Sequence, residues 1–316
     1  MPSNVLPNLP ANKAMSAVLG ALAPGVAVLV WLYGLGVLVQ IFLAAASMLA
    51  VEYTSRRTQP VLGDGSSLVS ATLLAIAIPA STPWWVTLSV SALACYLGKV
   101  VFGGNGKNLF NVAMLGYVIA LLGFGAHLSL WPAPFTYEGL GLFANPVDGI
   151  SQATLLDALK TNDRFISDEL FARFNGYGLI AARSDELKSL AFLAGGLWLI
   201  KKRIIAWQTP CAVLLGLFVT SLVFYNGAGS NSHGSPMLHL FSGASILCAF
   251  FIATEPVTGA KSAKGRWYLG FALGALIYLL RTFSPYPDGV AFAVLLANAL
   301  VLPLERWIAE QVPHAD

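Results

Sequence analysis

Two kinds of residue in this 316-residue chain stand where they could do chemistry. The first is a hydroxyl. Asp148-Gly149-Ile150-Ser151-Gln152-Ala153-Thr154 lies in the one long polar region between hydrophobic segments, and Leu155–Lys160 behind it opens a short helix. Thr154 offers a nucleophilic oxygen on a thin strip of backbone, with Ala153 keeping the approach uncluttered. That arrangement suits esterification. The same residues also read as a capped turn, in which Asp148 or Ser151 accepts backbone N–H groups. The second kind is acidic: Glu52, Asp64, Glu255 and Asp288 adjoin apolar runs, where charge is costly and commonly serves ion transfer. Interfacial capping competes with that role, because Asp64 precedes a helix and Glu255 and Asp288 sit beside prolines. Lys99 would face inward near the cytoplasmic end or, the default, snorkel to an interface, and His239 is expected to pack as a buried polar residue rather than a ligand.

Other chemistries lack their residues. No nucleophile–base pair, phosphate-binding loop, dinucleotide fingerprint or iron–sulfur cysteine set occurs. Cys95, Cys211 and Cys248 lie inside apolar runs without metal-ligand spacing and read as small core residues. The chain therefore holds no complete active site, no catalytic residue of its own and no metal centre. Its net charge of +3 and lack of a basic stripe with interleaved aromatics exclude a nucleic-acid partner.

The elements that must position these groups are membrane spans. The chain is 57% hydrophobic and 10% charged, with a mean hydropathy of +0.71, against roughly 25% charged residues in soluble domains. Membrane lipid is thus its main solvent. The N-terminal stretch to Asn12 has three prolines and no charged region of the kind that opens a signal peptide, so the first apolar segment stays as a span. Apolar runs of span length fall at 14–33, 35–53, 65–80, 84–102, 109–128, 189–200, 209–226, 237–254, 266–282 and 287–304. Two of them, 65–80 and 189–200, are short. With the N-terminus in the cytoplasm, the inner loops receive Lys13, Arg56, Arg57, Lys107, Lys201, Lys202, Arg203, Lys261, Lys264, Arg266 and Arg306. Both termini are then cytoplasmic and the Thr154 loop lies on the periplasmic side.

The predicted fold is all-α and polytopic, about ten transmembrane helices in two inverted five-helix repeats. Residues 1–128 form the first half, 129–188 an external loop and 189–316 the second half. Gly65–Pro79 can be laid beside Ser242–Pro256: both begin with small hydroxylated residues, turn bulky and end at proline. The loop opens on Trp131-Pro132-Ala133-Pro134-Phe135, suited to the headgroup boundary. Short amphipathic helices at 155–160 and 168–174 would hold it near the membrane surface.

Asp148-x-x-Ser151-x-Ala153-Thr154 resembles the flavinylation motif of the membrane flavoproteins in the Rnf and Nqr respiratory complexes. Further stretches carry the resemblance in order: Asp64-Gly65-Ser66; Lys99 and Gly103-Gly104 leading into Asn108–Tyr117; Leu238–Ala244; Ala249–Thr258; and Tyr286–Asn298. Gln152 stands where the family usually has Gly, Glu255 where it usually has Asp, and Leu109 and Val112 replace two prolines. The length favours the Rnf branch over the Nqr branch. The resemblance implies FMN joined through its phosphate to Thr154 by a flavin transferase, with Asp148, Ser151 and Ala153 read by that enzyme. Asn108, Phe110 and Asn111 would contact a flavin ring, with helix packing as the alternative. The Nqr relatives suggest a second, non-covalent flavin (riboflavin). The resemblance also implies a translocase subunit of a bacterial inner membrane, relaying electrons between NADH and ferredoxin with Na⁺ or H⁺ transport. Asp64, Glu255 and Asp288 would lie on the ion pathway. Implied partners are the second covalent-flavin subunit, the small membrane subunits, the flavin transferase and membrane lipids. The family fold also resembles urea and ammonium channels, so a solute transporter and a flavin-free scaffold are the rival readings.

Overall fold

Helices account for nearly all of the regular structure. The computed structural model describes residues 10–55, 64–104, 106–135, 154–162, 165–173, 176–227, 229, 232–286 and 288–311. An antiparallel bridge pairs Tyr177 with Ala182. The chain divides into two compact units, one of Asn8–Thr154 with Glu186–Leu199, the other containing Leu155–Asp185 and Ile200–Asp316.

The first unit holds α1 (Ala11–Tyr33), α2 (Gly36–Ser55), α3 (Ser66–Ala77), α4 (Trp84–Cys95), α5 (Val112–Leu128) and the body of α8 (Arg183–Lys201). A five-residue π turn, Tyr96–Val100, prolongs α4. Helices α1 and α2 are long and apolar enough to cross a membrane. At about 1.5 Å per residue, the twelve residues of α3 span only about 18 Å. That is well short of a hydrocarbon core of roughly 30 Å. Its ends therefore fall at membrane depth, where every backbone group needs a partner from the protein. Gln40 of α2 meets that need beyond the C-terminal end, donating to the carbonyls of Ala80 (3.2 Å) and Thr82 (2.6 Å) while accepting from the Thr87 hydroxyl. At the N-terminal end Gly65 takes φ +86°, and the Asp64 carboxylate accepts from the Ser66 amide at 2.9 Å. The segment read as a short sixth span is longer than expected: α8 runs 19 residues, and the Phe192 ring sits where a side chain on Gly25 would have to go. Phe135 donates its amide to the Leu32 carbonyl and packs edge-on against Trp31, tying the aromatic cluster down to α1.

In the second unit are α6 (Leu155–Lys160), α7 (Ser167–Arg173), α9 (Gln208–Val223), α10 (Pro236–Phe241), α11 (Ser245–Leu247), α12 (Ala263–Phe283) and α13 (Val290–Glu310). Helices α9 and α12 touch backbone to backbone. Gly270 and Gly274 stand four residues apart on α12, the small-x-x-x-small spacing that lets membrane helices approach closely. A Cβ on Gly274 would collide with the Val213 carbonyl oxygen and lie 2.5 Å from the Leu217 nitrogen. One on Gly216 of α9 would collide with the Phe271 carbonyl oxygen. The apolar run 237–254, read as one span, is broken. Helix α10 stops at Phe241, Gly243 turns left-handed at φ +63°, and α11 continues as a second π turn over Cys248–Ile252. The two stretches aligned in the sequence thus share a local form: a left-handed glycine, a short buried helix and a terminal proline.

Candidate functional site

Helix α6 is where the candidate acceptor meets the fold. Thr154 is half-buried and immediately precedes it; Asp148, Ser151 and Ala153 lie outside the described residues. Six residues are too few for an isolated helix to persist in water. Burial supplies the stability, because Leu155, Leu156 and Leu159 pass into a core with Ala181, Ala182 and Leu238. Phe171 of α7 stacks on Tyr177 at 4.7 Å and closes the edge of that core. At the other end Lys160 donates from Nζ to the carbonyls of Arg281 (2.8 Å) and Tyr286 (2.9 Å). The first is a terminal carbonyl of α12 with no partner inside its own helix, and a cation suits that negative end.

Burial pushes the Lys160 amine below its ordinary value, against the opposing pull of Asp157. At Lys160 the unfolded chain then holds its proton more often than the folded one just below pH 10.5, so the Lys160 contribution to stability rises with pH in that window. A Lys160→Met variant is expected to lose that slope and to unfold at a lower temperature than the wild type at pH 7. Thermal unfolding in detergent between pH 8 and 10.5 checks both; an unchanged slope contradicts the assignment.

Beneath α6 lies a buried polar centre. Arg281, 3% exposed, reaches from α12 to the broken span. Its guanidinium donates to the His239 carbonyl (2.9 Å) and the Ser245 hydroxyl (3.0 Å) and pairs with Asp288 at 3.1 Å. The other Asp288 oxygen accepts the Ala244 amide at 2.9 Å, and Asp185 accepts the Gly243 amide at 3.3 Å. Two carboxylates and one arginine thereby replace the backbone bonds that the break removes. His239 is 2% exposed, with Nε2 at 2.7 Å from the His233 carbonyl and its ring edge-on to Tyr278. It packs, as the sequence suggested.

The first unit carries a counterpart. Lys99 does not snorkel; it is 3% exposed and donates to the hydroxyls of Ser66 (2.7 Å) and Ser67 (2.9 Å) at the start of α3. The π turn aims its stem inward, and two hydroxyls offset the loss of water. Asn111 caps α5 by accepting the Met114 amide at 3.0 Å, and Asn108 donates to the Phe110 carbonyl at 3.4 Å. Both asparagines are buried. Glu255, in the second unit, accepts from the Thr258 hydroxyl at 2.7 Å. Asp64, Glu255 and Asp288 thus each brace a helix end or break. Arg281 was missed in the sequence as more than an edge cation; its signal was an arginine inside an apolar run with an aspartate seven residues on.

No group of three or more His, Cys, Asp or Glu residues that could hold a metal occurs among the described residues. Apolar helices of span length, one helix too short to cross and another broken around a buried ion pair define the class: an all-α, polytopic membrane protein. Within that class the chain belongs to the NQR2, RnfD, RnfE family, which it matches over residues 5–313. Three relatives carry the name of the D subunit of an ion-translocating oxidoreductase complex. That of Pseudomonas aeruginosa (strain UCBPP-PA14) is 48% identical over 297 residues, covering 90% of this chain and 86% of the relative. That of Ectopseudomonas mendocina is 46% identical over 299 residues, covering 91% and 87%. The Colwellia psychrerythraea protein is 42% identical over 312 residues, covering 90% and 88%.

Proposed function

We propose that the chain is the D-type membrane subunit of an Rnf-type ion-translocating oxidoreductase, carrying FMN as a phosphoester on Thr154. Support comes from relatives of that name at up to 48% identity over most of their length, and from the setting of Thr154. A covalent carrier needs an acceptor hydroxyl at the surface of a segment that stays in place. Thr154 is half-buried and immediately precedes α6, a helix that its own three leucines and Lys160 hold within the second unit. These residues fit the group. Thr154 would hold the phosphate, and the flavin ring would supply one- and two-electron redox chemistry when bound. The chain's own part is to seat the attachment point and to set the charge around it.

Electron transfer from NADH or ferredoxin then belongs to other subunits, since the sequence carries neither a dinucleotide fingerprint nor an iron–sulfur cysteine set. Asp64, Glu255 and Asp288 serve the ion path, Na⁺ or H⁺, at helix ends and breaks where carboxylate oxygens stand among unwound backbone. The complex sits in a bacterial inner membrane with Thr154 on the periplasmic face.

The test is in-gel flavin fluorescence of protein produced together with its flavin transferase. A fluorescent band in the wild type that disappears in Thr154→Val, with equal protein in the membrane, is the expected result. A dark wild-type band under those conditions sinks the covalent-flavin reading.

A further inference from the structure

A cavity of about 20 Å³ opens in the second unit between α9, α12, α13 and the 253–260 turn, lined by Thr209, Thr258, Gly259, Arg266, Leu269 and Asn298 among others. That volume takes one oxygen-sized group. Thr258 and Asn298 are 5% and 7% exposed; Asn298 donates to the Thr258 carbonyl at 3.1 Å, and alanine, leucine, valine and glycine make up most of the remaining wall. Arg266 is half-buried and donates from Nε to the Ala260 carbonyl at 3.3 Å; its two terminal nitrogens bond to no described residue. An arginine fork with both tines open, beside an oxygen-sized hole, matches a tetrahedral oxyanion.

The surroundings set its depth. Trp207 precedes Thr209 by two residues and Trp267 follows Arg266, and the two rings meet edge to face at 5.9 Å. Both are partly exposed, at 41% and 37%. Indoles with one apolar face and one polar edge collect at the headgroup level of a bilayer. Of the carboxylates close in the sequence or fold, Glu305 accepts the amides of Lys261 (2.8 Å) and Ser262 (3.0 Å), and Glu255 accepts from the Thr258 hydroxyl. Lys261 and Lys264 stand exposed close by in the sequence.

We propose that Arg266, in the wall of this cavity, binds the phosphate of an anionic phospholipid headgroup, two of its oxygens meeting the guanidinium. The site prefers an anionic lipid over a zwitterionic one, because a choline would face Arg266, Lys261 and Lys264. The inference stands apart from the flavin reading, which concerns Thr154.

Native mass spectrometry of the purified full chain, exchanged into micelles doped with phosphatidylglycerol or phosphatidylcholine, tests it. The expected result is one retained phosphatidylglycerol per chain and no comparable phosphatidylcholine. Arg266→Gln should lower retention by about tenfold, the loss of one bidentate contact, and Arg266→Lys by less. Lys13→Gln, at an exposed lysine of α1, should retain lipid as the wild type does. Thermal unfolding of each variant separates lost binding from lost folding, and inorganic phosphate at the same concentration should give no stabilisation. Equal retention of the two lipids, or an Arg266→Gln protein that folds and retains phosphatidylglycerol like the wild type, overturns the proposal. So does stabilisation by inorganic phosphate equal to that by phosphatidylglycerol, which would make the ligand a free anion.

Discussion

Replacing Arg281 by Met is expected to destabilise the chain by about 3–5 kcal/mol, the usual cost of removing one partner of a buried, hydrogen-bonded pair. The loss is compound. The His239 carbonyl and the Ser245 hydroxyl lose a donor, and Asp288 is left with the Ala244 amide alone. Asp288→Asn should cost less, since the Asp288 side chain is 25% exposed and an asparagine oxygen can still accept that amide. Combining the two substitutions should cost less than their sum, because the second no longer strands a charge. Thermal unfolding followed with a thiol-reactive dye reads this directly. Cys248 is wholly buried on the π turn beyond the break, while Cys211 is exposed and is best replaced by Ser beforehand. An Arg281→Met protein that protects Cys248 as well as the wild type does would refute the account.

The second large effect belongs to Gly274. Any side chain there meets the Val213 carbonyl oxygen and the Leu217 nitrogen, which are backbone atoms that no rotamer change can move aside. Gly274→Leu is expected to abolish accumulation of a monodisperse protein in the membrane. Gly274→Ala should lower its melting temperature sharply, because even one methyl group requires α9 and α12 to separate. Gly20→Ala, on α1 with nothing within 4 Å of the added carbon, is the matched control and should behave as the wild type. Size-exclusion profiles of the three proteins, each made at the same level, decide it. A monodisperse Gly274→Leu peak at wild-type yield would mean that the helices do not meet there.

These effects show where the sequence was readable and where it was not. Span positions were legible because length and hydropathy are local quantities, and lipid enforces both. The break at Gly243 was not legible, since 237–254 is continuously apolar enough to pass for one helix. What opens it is Arg281, whose bond to the Ser242 carbonyl crosses 39 positions of sequence. Lys99 was misjudged for the same reason. Snorkelling is the default for a lysine near a span end, but here Ser66 and Ser67 wait 33 and 32 positions away. Thr154 could be singled out from residue types and resemblance alone. The fixing of α6 could not, because it depends on Leu238 and on two carbonyls near the end of α12.

The Lys160 bonds carry a mechanical consequence. A lysine that grips the last turn of a long helix makes the tip of that helix and the foot of the Thr154 segment a single moving part. If α12 tilts or slides, α6, which follows the proposed attachment point in the chain, is carried with it by a strut one side chain long. The flavin proposed on Thr154, mounted this way, would not swing freely at the end of a flexible tether. On that proposal its reach toward a donor or an acceptor would be metered by the displacement of a transmembrane helix, and the geometry of the membrane part and the timing of electron hand-off would share one coordinate.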